Sequence, residues 1–156
     1  GEVGHFMIAS DNPGFFIGYH KDPDKTAEVV HDGWYHTGDL ASRDEDGYFR
    51  IAGRSDDCFK SRGIFISPYE IENVLRQHPA ITEACIVPLA DKEIGNRIRA
   101  VCVLRSGETA SDEMAEDIRL SVRSRIAPYK APHVVDFIDA LPKSPVGKVL
   151  RRELAS

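Results

Sequence analysis

The sequence predicts an α+β fold in which helices lie on a short sheet. Three observations carry that prediction. After residue 56 the periodic segments run helix, two strands, helix, strand, an order that lets two helices cover one sheet. Before residue 56, apolar runs broken by glycine-containing turns dominate, the pattern of a β-rich segment. A chain of 156 residues, 42% hydrophobic and 29% charged, can bury one good core or two small ones.

Taken in order, Val3, Phe6, Met7 and Ile8 precede the turn-forming run Ser10-Asp11-Asn12-Pro13-Gly14, which predicts a strand over residues 2–9. Asp22-Pro23 supplies an N-cap and a first-turn proline for a short helix over 24–30, stopped by Asp32-Gly33. Two extended arms, 34–42 and 48–52, flank Asp44-Glu45-Asp46-Gly47, which suits a hairpin turn. Asp39 falls in the first arm and Arg54 just past the second. Ser67-Pro68-Tyr69-Glu70 has the pattern of a capping box, where both side chains would satisfy free backbone donors. Ile71, Val74 and Leu75 continue as an apolar helix face until His78-Pro79. Residues 84–87 and 100–104 are strand-length runs separated by the polar Asp91-Lys92-Glu93. Ser111 opens a second helix, acidic at its start and basic at Arg119, Arg123 and Arg125, as the helix dipole favours. Its core side is Met114, Ile118, Val122 and Ile126. A strand over 134–138, a proline-rich loop and a short basic helix complete the chain. Phe65, Tyr69 and Tyr129 are assigned to core or interface.

A net charge of −5 argues against bulk binding to nucleic acid or anionic membrane, although local basic clusters can still grip a phosphate. No apolar run has the length of a membrane span and no signal-peptide pattern opens the chain, so a cytoplasmic protein is expected. Cys58, Cys85 and Cys102 are odd in number and far apart, which predicts reduced, mostly buried thiols. The six histidines show no ligand spacing, and no metal site is expected. The chain starts at Gly1 inside a strand, which suggests an excised piece of a longer protein.

Thr37-Gly38-Asp39, Gly53-Arg54-x-Asp56, Lys60-x-Arg62-Gly63, Pro68-x-Glu70-Ile71-Glu72 and the final run from Pro142 through Gly147-Lys148 to Arg152 stand in one order along the chain. Together they resemble the core motifs of the adenylate-forming (AMP-binding) enzymes, in particular acyl- and aryl-CoA ligases of the benzoate-CoA ligase type. The resemblance implies that residues 1–55 end a large N-terminal AMP-binding domain. Residues 56–156 then form the small, mobile C-terminal lid domain, with a hinge at Asp56. It implies a reaction in two steps: a carboxylic acid and Mg-ATP give acyl-AMP, and the acyl group then passes to the thiol of coenzyme A. The bulk of the N-terminal domain, which selects the acid, lies outside the match, so the fragment alone is expected to be inactive.

Chemistry and resemblance together name the candidate residues. A strand-end carboxylate such as Asp39 can accept two hydrogen bonds from a ribose diol; the alternative is a turn aspartate capping its own backbone. Arg54 can reach ribose or phosphate with its planar fork, or pair with a surface carboxylate such as Asp56 or Asp57. The resemblance assigns Lys148 to the developing negative charge when a carboxylate attacks the α-phosphate, a task for a fixed cation; the alternative is a solvated lysine in a basic tail. It also assigns Ser61, Arg62 and Gly63 to the channel for the CoA pantetheine, where some of the ligases it resembles carry a further glycine at the position of Arg62. Two other readings stay open: a domain that loads a carrier-protein pantetheine, toward which Lys60-x-Arg62-Gly63 leans, and a non-catalytic α+β interaction module.

Overall fold

Two compact units make up the chain, the first Gly1–Asp57 and the second from Cys58 onward. The computed structural model describes residues 1–155.

In the first unit, a ten-residue strand β3 (Trp34–Arg43) is the spine: β1 (Val3–Ala9), β2 (Val30–His31) and β4 (Phe49–Arg54) all pair with it antiparallel. The β3–β4 hairpin turns at Asp44–Gly47, where Asp44 Oδ1 accepts the Tyr48 N–H at 2.8 Å. Arg54 is the last residue of β4, inside the strand rather than just past it. Helix α1 (Pro23–Val29) starts as expected, with Asp22 accepting the Lys25 N–H at 3.0 Å.

The second unit opens with a hairpin of two three-residue strands, β5 (Phe59–Ser61) and β6 (Ile64–Ile66), where the sequence shows the Lys60-x-Arg62-Gly63 motif but no strand pattern. Helix α2 (Pro68–Leu75) follows. Ser67 makes no side-chain cap bond there, so the expected capping box does not form. Glu70 instead holds the Lys130 ammonium, at 2.8 and 2.6 Å. A charged partner brought in by the fold outcompetes the weaker local bond to a backbone donor.

Strands β7 (Ile81–Asp91) and β8 (Gly95–Leu104) make a long antiparallel hairpin, and β9 (Val134–Phe137) joins β8 in parallel. The expected runs 84–87 and 100–104 are the middle of this hairpin, apolar without interruption because both faces are covered. Side chains alternate across the sheet. Ala84, Ile86, Ile98, Ala100 and Cys102 pack with Ile71 and Leu75 of α2 and with Ile118 and Val122 of α3 (Asp112–Arg125). Cys85, Val87 and Val101 face the other way, onto Leu141 with Val149 and Leu154 of the terminal segment. That segment ends in α4 (Arg151–Leu154). Met114 and Ile126 are only partly buried beside the first cluster. Phe65, Tyr69 and Tyr129 are exposed rather than in the core.

Candidate functional site

In the first unit the antiparallel register sets Asp39 directly opposite Arg54. Asp39 lies in the middle of β3 rather than at a strand end; it is Arg54, opposite, that ends its strand. Thr37 braces this stretch: its hydroxyl donates to the Phe6 carbonyl at 2.7 Å and accepts the Asp39 N–H at 3.0 Å. The Asp39 carboxylate accepts no backbone N–H among the described residues, so it is not the self-capping turn aspartate. Its contact is Arg54 Nη1 at 3.4 Å. Arg54 is more firmly engaged elsewhere. Its Nε and Nη2 grip the two oxygens of Asp56 at 3.0 and 3.2 Å, and Nη1 donates to the Thr37 carbonyl at 2.8 Å. Asp56, the residue assigned to the hinge, is thus its firmest side-chain partner. Arg54 holds the Asp56 carboxyl below the usual carboxylate range, chiefly through this hydrogen bond.

Gly38 has a backbone angle that favours glycine, and the Arg54 guanidinium packs against it. With φ +77°, a Cβ there would stand 2.6 Å from Arg54 Nη2. A cavity of about 460 Å³ adjoins these residues, lined among others by Tyr19, Tyr35, Thr37, Gly38, Arg54 and Asp56. Thr37 and Ser55, which donates to the Gly38 carbonyl at 3.0 Å, act through hydrogen bonds. The triplet Thr37-Gly38-Asp39 is the only signal in the sequence for either.

In the second unit, Ser61 pairs with Ile64, so Arg62 and Gly63 alone form the hairpin tip, with φ of 52° and 75°. Two positive φ values make the primed turn that suits the strand twist. The tip leans on the β7–β8 connection: the Arg62 N–H donates to the Ile94 carbonyl at 3.0 Å and Asn96 Nδ2 to the Lys60 carbonyl at 2.9 Å. Ser61 is buried, whereas Arg62 and Gly63 are exposed. Arg62, Arg97, Arg119, Arg123, Tyr129 and His133 line a cavity of about 340 Å³ beside the tip. Among the described residues, Arg62, Arg97 and Arg123 form no ion pair, although the chain is acidic overall. His133 records the resulting field: burial, then Arg62 and Arg97, push its pKa down, while its Nδ1 accepts the Ile98 N–H at 3.0 Å. Arg97, Arg123 and His133 carry no shared mark in the sequence. They come from β8, α3 and the approach to β9, and no local pattern joins them.

Lys148 stands at the edge of a clasp closed by a Lys143–Val149 bridge and by Ser144 N–H to the Lys148 carbonyl at 2.8 Å. Pro145-Val146-Gly147 forms the three-residue connection. The backbone of Lys148 is thereby fixed, while its side chain is exposed and has no hydrogen bond or ion pair among the described residues. Just beyond, Arg151 reaches both oxygens of the buried Glu72, at 2.5 and 3.0 Å, and the Ile86 carbonyl at 3.0 Å. Glu72 Oε1 also accepts the Ile86 N–H at 2.8 Å. No group of three or more His, Cys, Asp or Glu side chains able to hold a metal is found among the described residues. No helix among them is long and apolar enough to cross a membrane.

Two helices on one face of a small sheet, with a lysine-bearing terminal segment folded over the other, define the α+β C-terminal domain of the adenylate-forming enzymes. The chain belongs to the AMP-binding enzyme C-terminal domain family, whose model matches residues 70–148, just over half of its length. It is similar to the 4-hydroxybutyrate–CoA ligase 1 of Metallosphaera sedula, at 41% identity over 98% of this chain and 27% of that protein. Similarity to the benzoate–CoA ligase of Thauera aromatica is 36%, over 100% of this chain and 29% of the other. Among solved structures, the o-succinylbenzoate CoA synthetase of Bacillus subtilis in complex with its acyl-adenylate intermediate superposes with a TM-score of 0.88. Its identity is 31%, over 99% of this chain and 31% of that one. The chain thus spans less than a third of the length of these relatives.

Proposed function

We propose that this chain is the C-terminal part of a cytoplasmic, ATP-dependent carboxylate–CoA ligase that forms AMP. A carboxylic acid attacks the α-phosphorus of Mg-ATP, pyrophosphate leaves, and the CoA thiol then displaces AMP from the acyl-adenylate. Asp39 accepts the ribose hydroxyls, and Arg54 holds the same end of the nucleotide while bracing Asp56, the pivot between the two steps. Mg²⁺ enters as part of the nucleotide substrate, where it would offset phosphate charge.

The observation that carries this reading is the exposed Lys148 side chain, unpaired among the described residues, on a backbone held by its clasp. An ammonium with no carboxylate to neutralise it is available to the charge that grows on the carboxylate and bridging oxygens during attack. It needs no proton transfer to do so. The arginine-lined cavity beside Gly63 supports free CoA as acceptor. Guanidinium forks recognise phosphate oxygens well, and CoA brings a pyrophosphate and a 3′-phosphate, whereas a carrier-protein pantetheine brings one phosphodiester.

A panel of carboxylic acids with ATP and CoA on the full-length enzyme, scoring pyrophosphate and thioester separately, tests the activity. In that enzyme Lys148→Ala is expected to lower pyrophosphate release about 100-fold or more. Thioester formation from preformed acyl-adenylate should hardly change. Equal losses in the two assays would overturn the role given to Lys148.

A further inference from the structure

The clasp that carries Lys148 is tied at both ends, and its two ties differ in kind. On the upstream side Leu141 is buried and Lys143 Nζ pairs with Glu83 at 2.5 Å. On the downstream side Leu150 N–H donates to the Pro142 carbonyl at 2.9 Å, and one residue later Arg151 locks onto Glu72. Only Val149 and Leu150 lie between Lys148 and Arg151, and both are held by backbone pairing, so little slack separates the ammonium-bearing residue from the ion pair. Glu72 is 4% exposed and belongs to α2; through Ile86 it is also fixed to β7. The pair therefore joins the helix layer, the sheet and the Lys148 loop at one point.

The same pair is not all that keeps the terminal helix, which Arg151 opens, on the sheet. Arg99 ties its far end separately, with Nε on Asp136 at 2.6 Å and Nη1 on the Leu154 carbonyl at 2.8 Å. Val149 and Leu154 add apolar contact with the cluster of Cys85, Val87 and Val101. Loosening Glu72–Arg151 thus leaves α4 attached while freeing the register of the loop just before it.

We propose that Glu72 and Arg151 are positioning residues for Lys148 in the adenylation step, an inference that rests on the role given to Lys148 above. A bidentate guanidinium–carboxylate pair fixes angle as well as distance, and a displacement of about 1 Å at a catalytic group costs up to about 100-fold in rate. Neither residue touches substrate in this scheme. They act only by holding the clasp where the ammonium is needed.

The test uses the full-length ligase and compares Glu72→Gln, Arg151→Lys and Lys148→Ala, with Ile118→Val as a core lesion remote from the loop. Glu72→Gln keeps the shape and the acceptor for Ile86, and Arg151→Lys keeps the cation but loses the fork. Both are expected to lower kcat for pyrophosphate release roughly 10- to 100-fold. KM for ATP and the rate of thioester formation from preformed acyl-adenylate should stay within about threefold of wild type. Ile118→Val should lower Tm and leave the ratio of the two half-reactions unchanged. Hydrogen exchange across residues 143–150 should quicken in Glu72→Gln. If Glu72→Gln fails to fold, Arg151→Lys decides. A folded Arg151→Lys with an unaltered ratio of half-reactions, beside a Lys148→Ala that lowers it, overturns the positioning role and leaves the role of Lys148 standing. An unaltered ratio in Lys148→Ala overturns both.

Discussion

His133 sits with one ring nitrogen occupied by the Ile98 N–H and with Arg62 and Arg97 beside it. Its folded pKa lies below the ordinary 6.5 because burial, and after it the two guanidinium charges, disfavour the imidazolium. The unfolded chain therefore takes up this proton first as pH falls. Stability from this residue is level above about pH 6.5, declines as pH drops through that value toward the folded pKa, and levels again below it. Urea titrations at about pH 7.5 and about pH 5.5 should show the decline, and His133→Gln should reduce it. The same imidazole reports on the cavity. Arg97→Ala, followed by NMR titration, is expected to move the His133 pKa upward, and phosphate bound in the cavity should move it the same way. An unmoved titration in Arg97→Ala would mean that Arg97 adds nothing to the shift and that burial and Arg62 set it. Residues with a local signature, such as Asp39 and Gly63, are legible in the sequence. Arg97 and Arg123 are not, since nothing in either neighbourhood distinguishes an arginine aimed at a shared cavity from one that complements a helix dipole or lines a strand edge.

At the scale of elements, the β5–β6 hairpin shows why a motif can be read while its structure is missed. Three-residue strands are too short for alternation to register, so only the turn chemistry of Arg62-Gly63 is visible. The observed turn puts a non-glycine residue, Arg62, at positive φ, a conformation that suits the glycine found at this position in some of the ligases the motif resembles. Gly63 has φ +75°, and a Cβ added there would meet nothing within 4 Å, so Gly63→Ala tests backbone strain without a clash. Thermal unfolding is expected to show a loss of about 1–2 kcal/mol, the cost of a left-handed conformation for an L-residue. The start of α2 is legible from Pro68, yet the use of Glu70 is not: its partner Lys130 lies far along the chain. Glu72 and Arg151 are further apart still, and each could be read only as part of a motif, not as half of an ion pair. Helix starts set by nearby residues can be predicted. Side-chain pairings set by the closing of the sheet cannot.

For the whole molecule, the decisive contrast is how much core each unit owns. Leu40 and Ala41 are the buried hydrophobic residues of the first unit among those described, whereas Val3, Met7, Ile17, Tyr19, Trp34, Tyr48, Phe49 and Ile51 are exposed there. The second unit buries two clusters, one on each face of its sheet. Burial of apolar surface is the main favourable term in folding, at roughly 25 cal/mol per Å², so the two units cannot be equally stable in this chain. Native-state hydrogen exchange should divide accordingly. Amides in the middle of β7 and β8, such as Ile86 and Val101, are expected to exchange only through global opening of the second unit, while those of β1, β3 and β4 exchange through cheaper local openings. Supplying the rest of the proposed full-length ligase should protect the first-unit amides, because their apolar side chains would then gain something to pack against. The protection of Ile86 and Val101 should change far less. If β3 amides in the isolated chain proved as slow as those of β8, the first unit would hold a core that its exposed side chains do not reveal, and its dependence on further protein would be refuted.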